Sequence, residues 1–244
     1  MHIMLRQHKA PPDAAPEGHN GPMEPARTSL RMSSRAAVFV VGGLLIAASC
    51  LLGAWIFIRG VEPFAIDTWW NDVLAAWVSP FMLGFSQVMN FLGGGWFGTL
   101  AVPLGGAVAL ILVKRPWSAA YFLTAETATA GCVQLLKHAF GRARPEDIIV
   151  VSDYGSYPSG HVANATTIAV AAVTLFPRLW VAVVGATWVL LMALSRTYLH
   201  AHWLSDTLGG MLVGAGTALV VAGFFATVIA RERVDAAPAP PSLG

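Results

Sequence analysis

Residues 36–58 read AAVFVVGGLLIAASCLLGAWIFI, a run with no charged side chain. A bilayer core takes about 20 apolar residues per helix, so this run reads as a membrane span and sets the fold class. Working outward, residues 96–113, 117–136, 161–176, 179–195 and 203–229 form five further apolar runs. The expected architecture is all-α, a six-span transmembrane helical bundle. The composition agrees: 56% of the 244 residues are hydrophobic and 11% charged, against about 25% charged in soluble domains. Mean hydropathy is +0.62.

Residues 67–92 are apolar too, but Asn71, Asp72 and Pro80 interrupt them. Their tryptophans suit the headgroup level, so this segment reads as an interfacial helix between spans one and two. Residues 1–35, rich in Pro, Gly and Ala with scattered charge, read as a disordered cytoplasmic tail. Residues 36–233 form the spanning domain, and residues 234–244 a second flexible tail. The first span is long enough to stay as an anchor rather than act as a cleaved leader. Cys50 and Cys132 both fall within spans, which predicts no disulfide. Gly210 and Gly214 form a GxxxG pair, read as a close helix contact.

Basic residues orient the bundle. With the N-terminus inside, Arg6, Lys9, Arg27, Arg31, Arg35, Lys114, Arg115, Arg178, Arg231 and Arg233 are cytoplasmic. Arg59, Lys137, Arg142, Arg144 and Arg196 remain on the opposite, periplasmic or extracellular face. Both termini are then cytoplasmic, in a cell (inner) membrane. The net charge of +2 argues for no nucleic-acid partner; the partners expected are membrane lipids and a lipid phosphate substrate.

Three polar clusters fall on the outer face. They are KHAFGRARP (residues 137–145), YPSGH (157–161) and LSRTYLHAHWLSD (194–206). Lys137, Arg142, Arg144 and Arg196 bring cations to one region, and like charges gather where an anion holds them. Arginine offers a planar fork to phosphate oxygens, lysine a point charge. The span that starts after Pro158 presents free backbone N–H groups and a positive dipole end. Ser159 and Gly160 lie there, a setting suited to phosphate. His202 and Asp206 are four residues apart on one helix face. The aspartate is expected to accept an imidazole N–H and leave the other nitrogen free as a nucleophile. His161, from another helix, is then available as general acid for a departing alkoxide.

Singly, each feature has a plainer explanation. A histidine near a span end, such as His138 or His200, is ordinarily interfacial; Arg59 snorkels to headgroups; Pro-Ser-Gly is commonly a turn. Three such clusters sharing a face would need three coincidences.

Together the clusters resemble the type-2 phosphatidic acid phosphatase superfamily. KHAFGRARP matches Lys-x6-Arg-Pro, YPSGH contains Pro-Ser-Gly-His, and SRTYLHAHWLSD fits Ser-Arg-x5-His-x3-Asp, in the family's order and spacing. The resemblance runs from about the third span to the sixth. It implies that His202 forms a phosphohistidine, oriented by Asp206, and that His161 protonates the leaving group and activates water afterwards. It also implies that Lys137, Arg144, Ser159, Gly160 and Arg196 hold the phosphate oxygens, with no metal and no other cofactor. Arg142 lies outside the strict motif but near enough to assist.

The function expected is a metal-independent lipid phosphatase. Candidate substrates are polyprenyl diphosphate, phosphatidylglycerol phosphate, phosphatidic acid and a lipid A phosphate. A phosphotransferase using the same histidine is the near alternative. An anion transporter fits less well, because its polar helices would meet at the midplane; an intramembrane serine protease would leave the cations surplus. Glu126 stands mid-span, either lining a polar pocket below the site or held neutral by local partners.

Overall fold

The apolar runs fold as helices, and no strand occurs among the described residues. The structure, a computed structural model, describes residues 26–235, with side chains from residue 35 to residue 233. The helices are α1 (Ala26–Ile58), α2 (Ala65–Ala76), α3 (Pro80–Gly93), α4 (Val102–Leu112), α5 (Pro116–Phe140), α6 (Gly160–Leu175), α7 (Leu179–Tyr198) and α8 (Leu204–Asp235). A π-helical turn, Phe97–Ala101, leads into α4. Helix α1 begins ten residues ahead of the apolar run, inside the segment read as a tail. Residues 1–25 and 236–244, the rest of the expected tails, lie outside the described residues.

Local chemistry sets the helix ends. Ser79 caps α3, its Oγ accepting the Met82 N–H at 3.3 Å, and Pro80 takes the first helical position. Helix α5 starts on Pro116 and stops at Gly141, which is left-handed at φ 53° and donates its N–H to the Lys137 carbonyl at 2.9 Å.

Helix α8 is the hub of the bundle, packed against α1, α5 and α6; α7 packs on α6 and α3, and α4 on α5. The GxxxG pair does what its spacing predicts. A Cβ on Gly210 would lie 2.6 Å from the Ser159 carbonyl oxygen, and one on Gly214 would lie 2.4 Å from that of Ala163. Only hydrogen at these positions lets α8 come this close to the start of α6. Outward positions are apolar instead: Leu44 and Leu51 of α1 are 64% and 71% exposed, the distribution a bilayer demands.

The expected span count is met in part, and the segment expected as one interfacial helix is divided. Three helices are long and apolar enough to span: Arg35–Ile58, Leu179–Tyr198 and Leu204–Arg233. The pair Pro80–Gly93 and Phe97–Leu112, bent by 45°, makes a fourth if it is a single broken span. Length and composition alone therefore pick out three or four spans among the described residues. Helix α6 has 16 residues, short of the roughly 20 that a bilayer core takes. Helix α5 is long enough, but Thr124, Glu126, Thr127 and Thr129 interrupt it. The segment read as one interfacial helix is two, α2 and α3, because Pro80 disfavours helical geometry at Ser79. Helix α3 then meets the second apolar run at the 45° bend.

Candidate active site

The end of α5, the start of α6, the end of α7 and the approach to α8 meet at one end of the bundle. The short connection of residues 199–203 turns the chain there, and the long loop of residues 141–159 folds over the same end. Tyr157 pins that loop. Its hydroxyl donates to the Ser49 carbonyl at 2.6 Å, while its ring packs where a Cβ on Gly209 would sit. The Ser159 N–H donates to the Asp206 carbonyl at 3.0 Å, tying the start of α6 to α8.

A cavity of about 540 Å³ opens at this end. Lys137, Arg144, Gly160, His161, Arg196 and His202 all line it. The three separated motifs thus converge on one space. A larger groove of about 610 Å³ lies along α6 and α7, walled by apolar residues including Ile168, Trp180 and Trp188; it contains neither histidine and none of the motif cations.

The imidazole of His202 is held from behind. Its Nδ1 donates to the Ser156 carbonyl at 2.8 Å, which leaves Nε2 with the lone pair, 3.2 Å from an Arg144 N–H. Burial, then the charges of Arg144, Arg196 and Lys137, push its pKa well below the ordinary value. The ring is neutral and its unprotonated nitrogen faces cations, as a nucleophile toward an anionic ester requires.

The expected contact between His202 and Asp206 is indirect. The nearest Asp206 oxygen is 3.7 Å from Nδ1. Asp206 instead accepts the Trp203 N–H at 2.8 Å and the Ser156 hydroxyl, and pairs with Arg142 at 2.6 Å. It fixes Ser156, whose carbonyl fixes the ring. Sequence spacing placed the pair on one face, but the first turn of α8 drew the carboxylate to backbone donors.

Arg142 does not reach the cavity. Its guanidinium, wholly buried, bridges Asp206 and Asp67, the latter at 2.8 Å, and donates to Ser205 Oγ at 2.7 Å. Asp67 also accepts the Ser205 N–H at 2.8 Å, so α2 is bonded to the start of α8. Gly141 turns the chain between α5 and this arginine, and Arg142 and Arg144 leave in different directions. Ser159 is buried beside the cavity without lining it.

Unpartnered donors collect here. Among the described residues, Ser159 Oγ, Arg144 Nε and Arg196 Nε are buried with no hydrogen-bond partner. Buried polar groups are rarely left unpaired, and a cluster of donors beside a cavity points to an acceptor of several oxygens.

Several neighbours of the site lie outside the motifs. The Asn90 side chain accepts from Arg196, and its carbonyl accepts His161 Nε2–H at 3.1 Å. Residues 93–95 are three glycines, two of which meet the His161 ring: a Cβ on Gly94 would lie 2.1 Å from Nε2 and one on Gly93 3.3 Å from Cδ2. The glycine triplet was the visible signal, since glycine is the residue that lets backbone approach another group closely. Asp153 pairs with Lys137 at 3.2 Å and Arg144 at 2.8 Å. Ser156 acts through its carbonyl and left no signal at all.

Glu126 lines the inner part of the same cavity, and its Oε1 has no partner among the described residues. His138 and His200 do not line it. They contact the Gln134 carbonyl at 2.8 Å and the Asn71 side chain at 2.6 Å.

Comparison with known proteins agrees with the motifs. Residues 118–230 match the PAP2 superfamily. A lipid A 1-phosphatase of Rhizobium etli is 29% identical over 163 residues, covering 61% of this chain and 66% of that relative. The chain thus spans just under two thirds of that relative's length. Among solved structures, a PAP2-type phosphatidylglycerolphosphate phosphatase from Bacillus subtilis superposes with a TM-score of 0.68. It is 23% identical and covers 77% of this chain and 96% of its own. Aquifex aeolicus LpxE gives a TM-score of 0.58 at 22% identity, covering 66% and 96%. The likeness to both is one of fold.

Proposed function

We propose that this chain, PAP2-like from residue 118 to residue 230, is a membrane-embedded phosphatase of lipid phosphates working through a phosphohistidine. The observation that carries this reading is the orientation of His202. Its Nδ1–H is held by the Ser156 carbonyl, and its lone-pair nitrogen faces a cavity that His161 and three cations share.

In the first step, His202 Nε2 attacks phosphorus. The N–P bond forms, the P–O ester bond breaks, and His161 gives a proton to the departing oxygen. In the second, His161 accepts a proton from water, whose oxygen displaces the imidazole and releases inorganic phosphate. Lys137, Arg144 and Arg196, with the start of α6 at Gly160, bind the oxygens on which charge builds. Asp206 and Ser156 position the nucleophile. Asp153 is engaged with Lys137 and Arg144, and Asp67 and Asp206 with Arg142, which leaves Glu126 as a lone carboxyl on the cavity wall, too few ligands for a metal ion. The reading therefore expects turnover in the presence of chelator.

The six-span topology and outward-facing site are part of this proposal. Helices α5 and α6 pack among α4, α7 and α8, so their polar faces need not meet lipid. The curated relative named above favours a lipid A phosphate within the substrate set. The test is phosphate release from lipid A, polyprenyl diphosphate, phosphatidylglycerol phosphate and phosphatidic acid in detergent with chelator. Wild type should release phosphate and label a histidine from ³²P substrate; His202→Gln should do neither. Full turnover by a folded His202→Gln protein would refute the assignment.

A further inference from the structure

The loop between the first two motifs carries its own anion into the site. Asp153 lines the cavity, and its carboxylate Oδ1 lies 2.8 Å from Arg144 and 3.2 Å from Lys137, two of the cations assigned to phosphate. Those cations are almost buried, with side chains 12% and 2% exposed, whereas the Asp153 side chain is 55% exposed. The acid comes in from the water side.

Its partners do not depend on it alone. The Gly155 carbonyl accepts from Lys137 at 2.7 Å and from Arg144 at 2.9 Å, and the Asp153 carbonyl accepts from Arg144 at 3.1 Å. These backbone acceptors keep both cations in place when the carboxylate swings out. An anion held by an exposed side chain, at cations anchored by backbone, is a displaceable occupant.

We propose that Asp153 is a built-in competitor for the phosphate site, setting the affinity an anion must have to occupy it. This rests on the phosphatase reading above. Bilayers consist largely of phosphodiester lipids, each carrying a single negative charge at phosphorus. A diester replacing Asp153 exchanges one negative charge for another and gains little. A phosphate monoester brings nearly two, and gains the second against the same cations. Competition weakens every anion by the same factor. Diesters are thereby lifted out of their working range, and monoesters, with affinity in reserve, remain bound. Partial burial opposes ionisation of Asp153, but Lys137 and then Arg144 outweigh it and hold the carboxyl below its usual range, so the competitor is charged at neutral pH.

The experiment compares wild type with Asp153→Asn and Asp153→Ser in the full chain. Calorimetry measures binding of orthovanadate, a monoester-phosphate mimic, and of dihexanoyl phosphatidylglycerol, a soluble diester. Removing a competitor tightens both by one common factor, about threefold to thirtyfold for a carboxylate on two partly buried cations. KM for a lipid monoester should fall by that factor. Unchanged or weaker binding in a folded variant overturns the inference and makes Asp153 a support for its cations. Tightening of one anion without the other also overturns it. Wild-type turnover is read alongside: if wild type binds orthovanadate but releases no phosphate, the phosphatase reading fails while the binding comparison still decides the role of Asp153.

Discussion

Replacing Arg142 with alanine separates two arginines that are two residues apart in sequence. In the structure Arg142 is a buried bridge between Asp67 and Asp206, and its side chain and both carboxylates are fully excluded from solvent. Arg142→Ala leaves two carboxylates facing each other in a dry interior with no cation between them. Breaking a buried ion pair by removing one partner costs about 3–5 kcal/mol. At about 2–4 °C per kcal/mol for a chain of this size, the midpoint of unfolding in detergent should fall by roughly 6–20 °C. Arg144→Ala is the contrast. Its guanidinium lines the cavity and its partner Asp153 is exposed, so melting should shift by only a few degrees while activity falls by at least about tenfold. Differential scanning calorimetry and phosphate release on the same preparations check both. Double replacement of Asp67 by asparagine and Arg142 by methionine should recover part of the lost stability, because one of the two stranded charges goes with the arginine while Asp206 keeps the Trp203 N–H and the Ser156 hydroxyl. If Arg142→Ala melts with wild type but loses orthovanadate affinity, Arg142 is a substrate ligand and the buried network described here is wrong.

Gly94→Ala should lower kcat on lipid esters by about 10²-fold, the lower end of what a general acid contributes. A Cβ there must displace the His161 ring. Turnover of p-nitrophenyl phosphate, whose leaving group needs no proton, should fall far less; equal losses on both would remove His161 from the acid role. The neutrality of His202 predicts a pH dependence of stability. Its folded pKa is depressed, so below about pH 6.5 the unfolded chain binds a proton that the folded chain does not, and stability falls at about 1.4 kcal/mol per pH unit. His202→Gln should flatten that slope between pH 6.5 and 5, and an unchanged slope would assign it to another group. Gly214→Val should separate α6 from α8, since its Cβ meets the Ala163 carbonyl. It should lower both melting temperature and kcat, and near-wild-type values for both would deny the contact its role.

Local patterns were enough for much of this protein. The charge-free runs became helices because in lipid only internal backbone bonding satisfies every N–H and C=O. Lys137, Arg144, His161, Arg196 and His202 were legible because each lies at or just beyond a helix end whose partner motifs share a face, and all five reached one cavity. What packing decided is where side chains turn after a helix stops. Gly141 in its left-handed turn sends Arg142 inward to Asp67, a residue 75 positions earlier, and Arg144 outward to the cavity. Asp206 kept its place beside His202 but spent its oxygens on Trp203, Ser156 and Arg142, so the ring is held by a carbonyl that no motif records. Asn90 and Gly94 join the site across long sequence separations, and Asp153 through the fold of the loop that follows Arg144. Periodicity and spacing encode neighbours within a turn or two; which distant groups meet in a dry space depends on how whole helices pack and which buried charges find a partner.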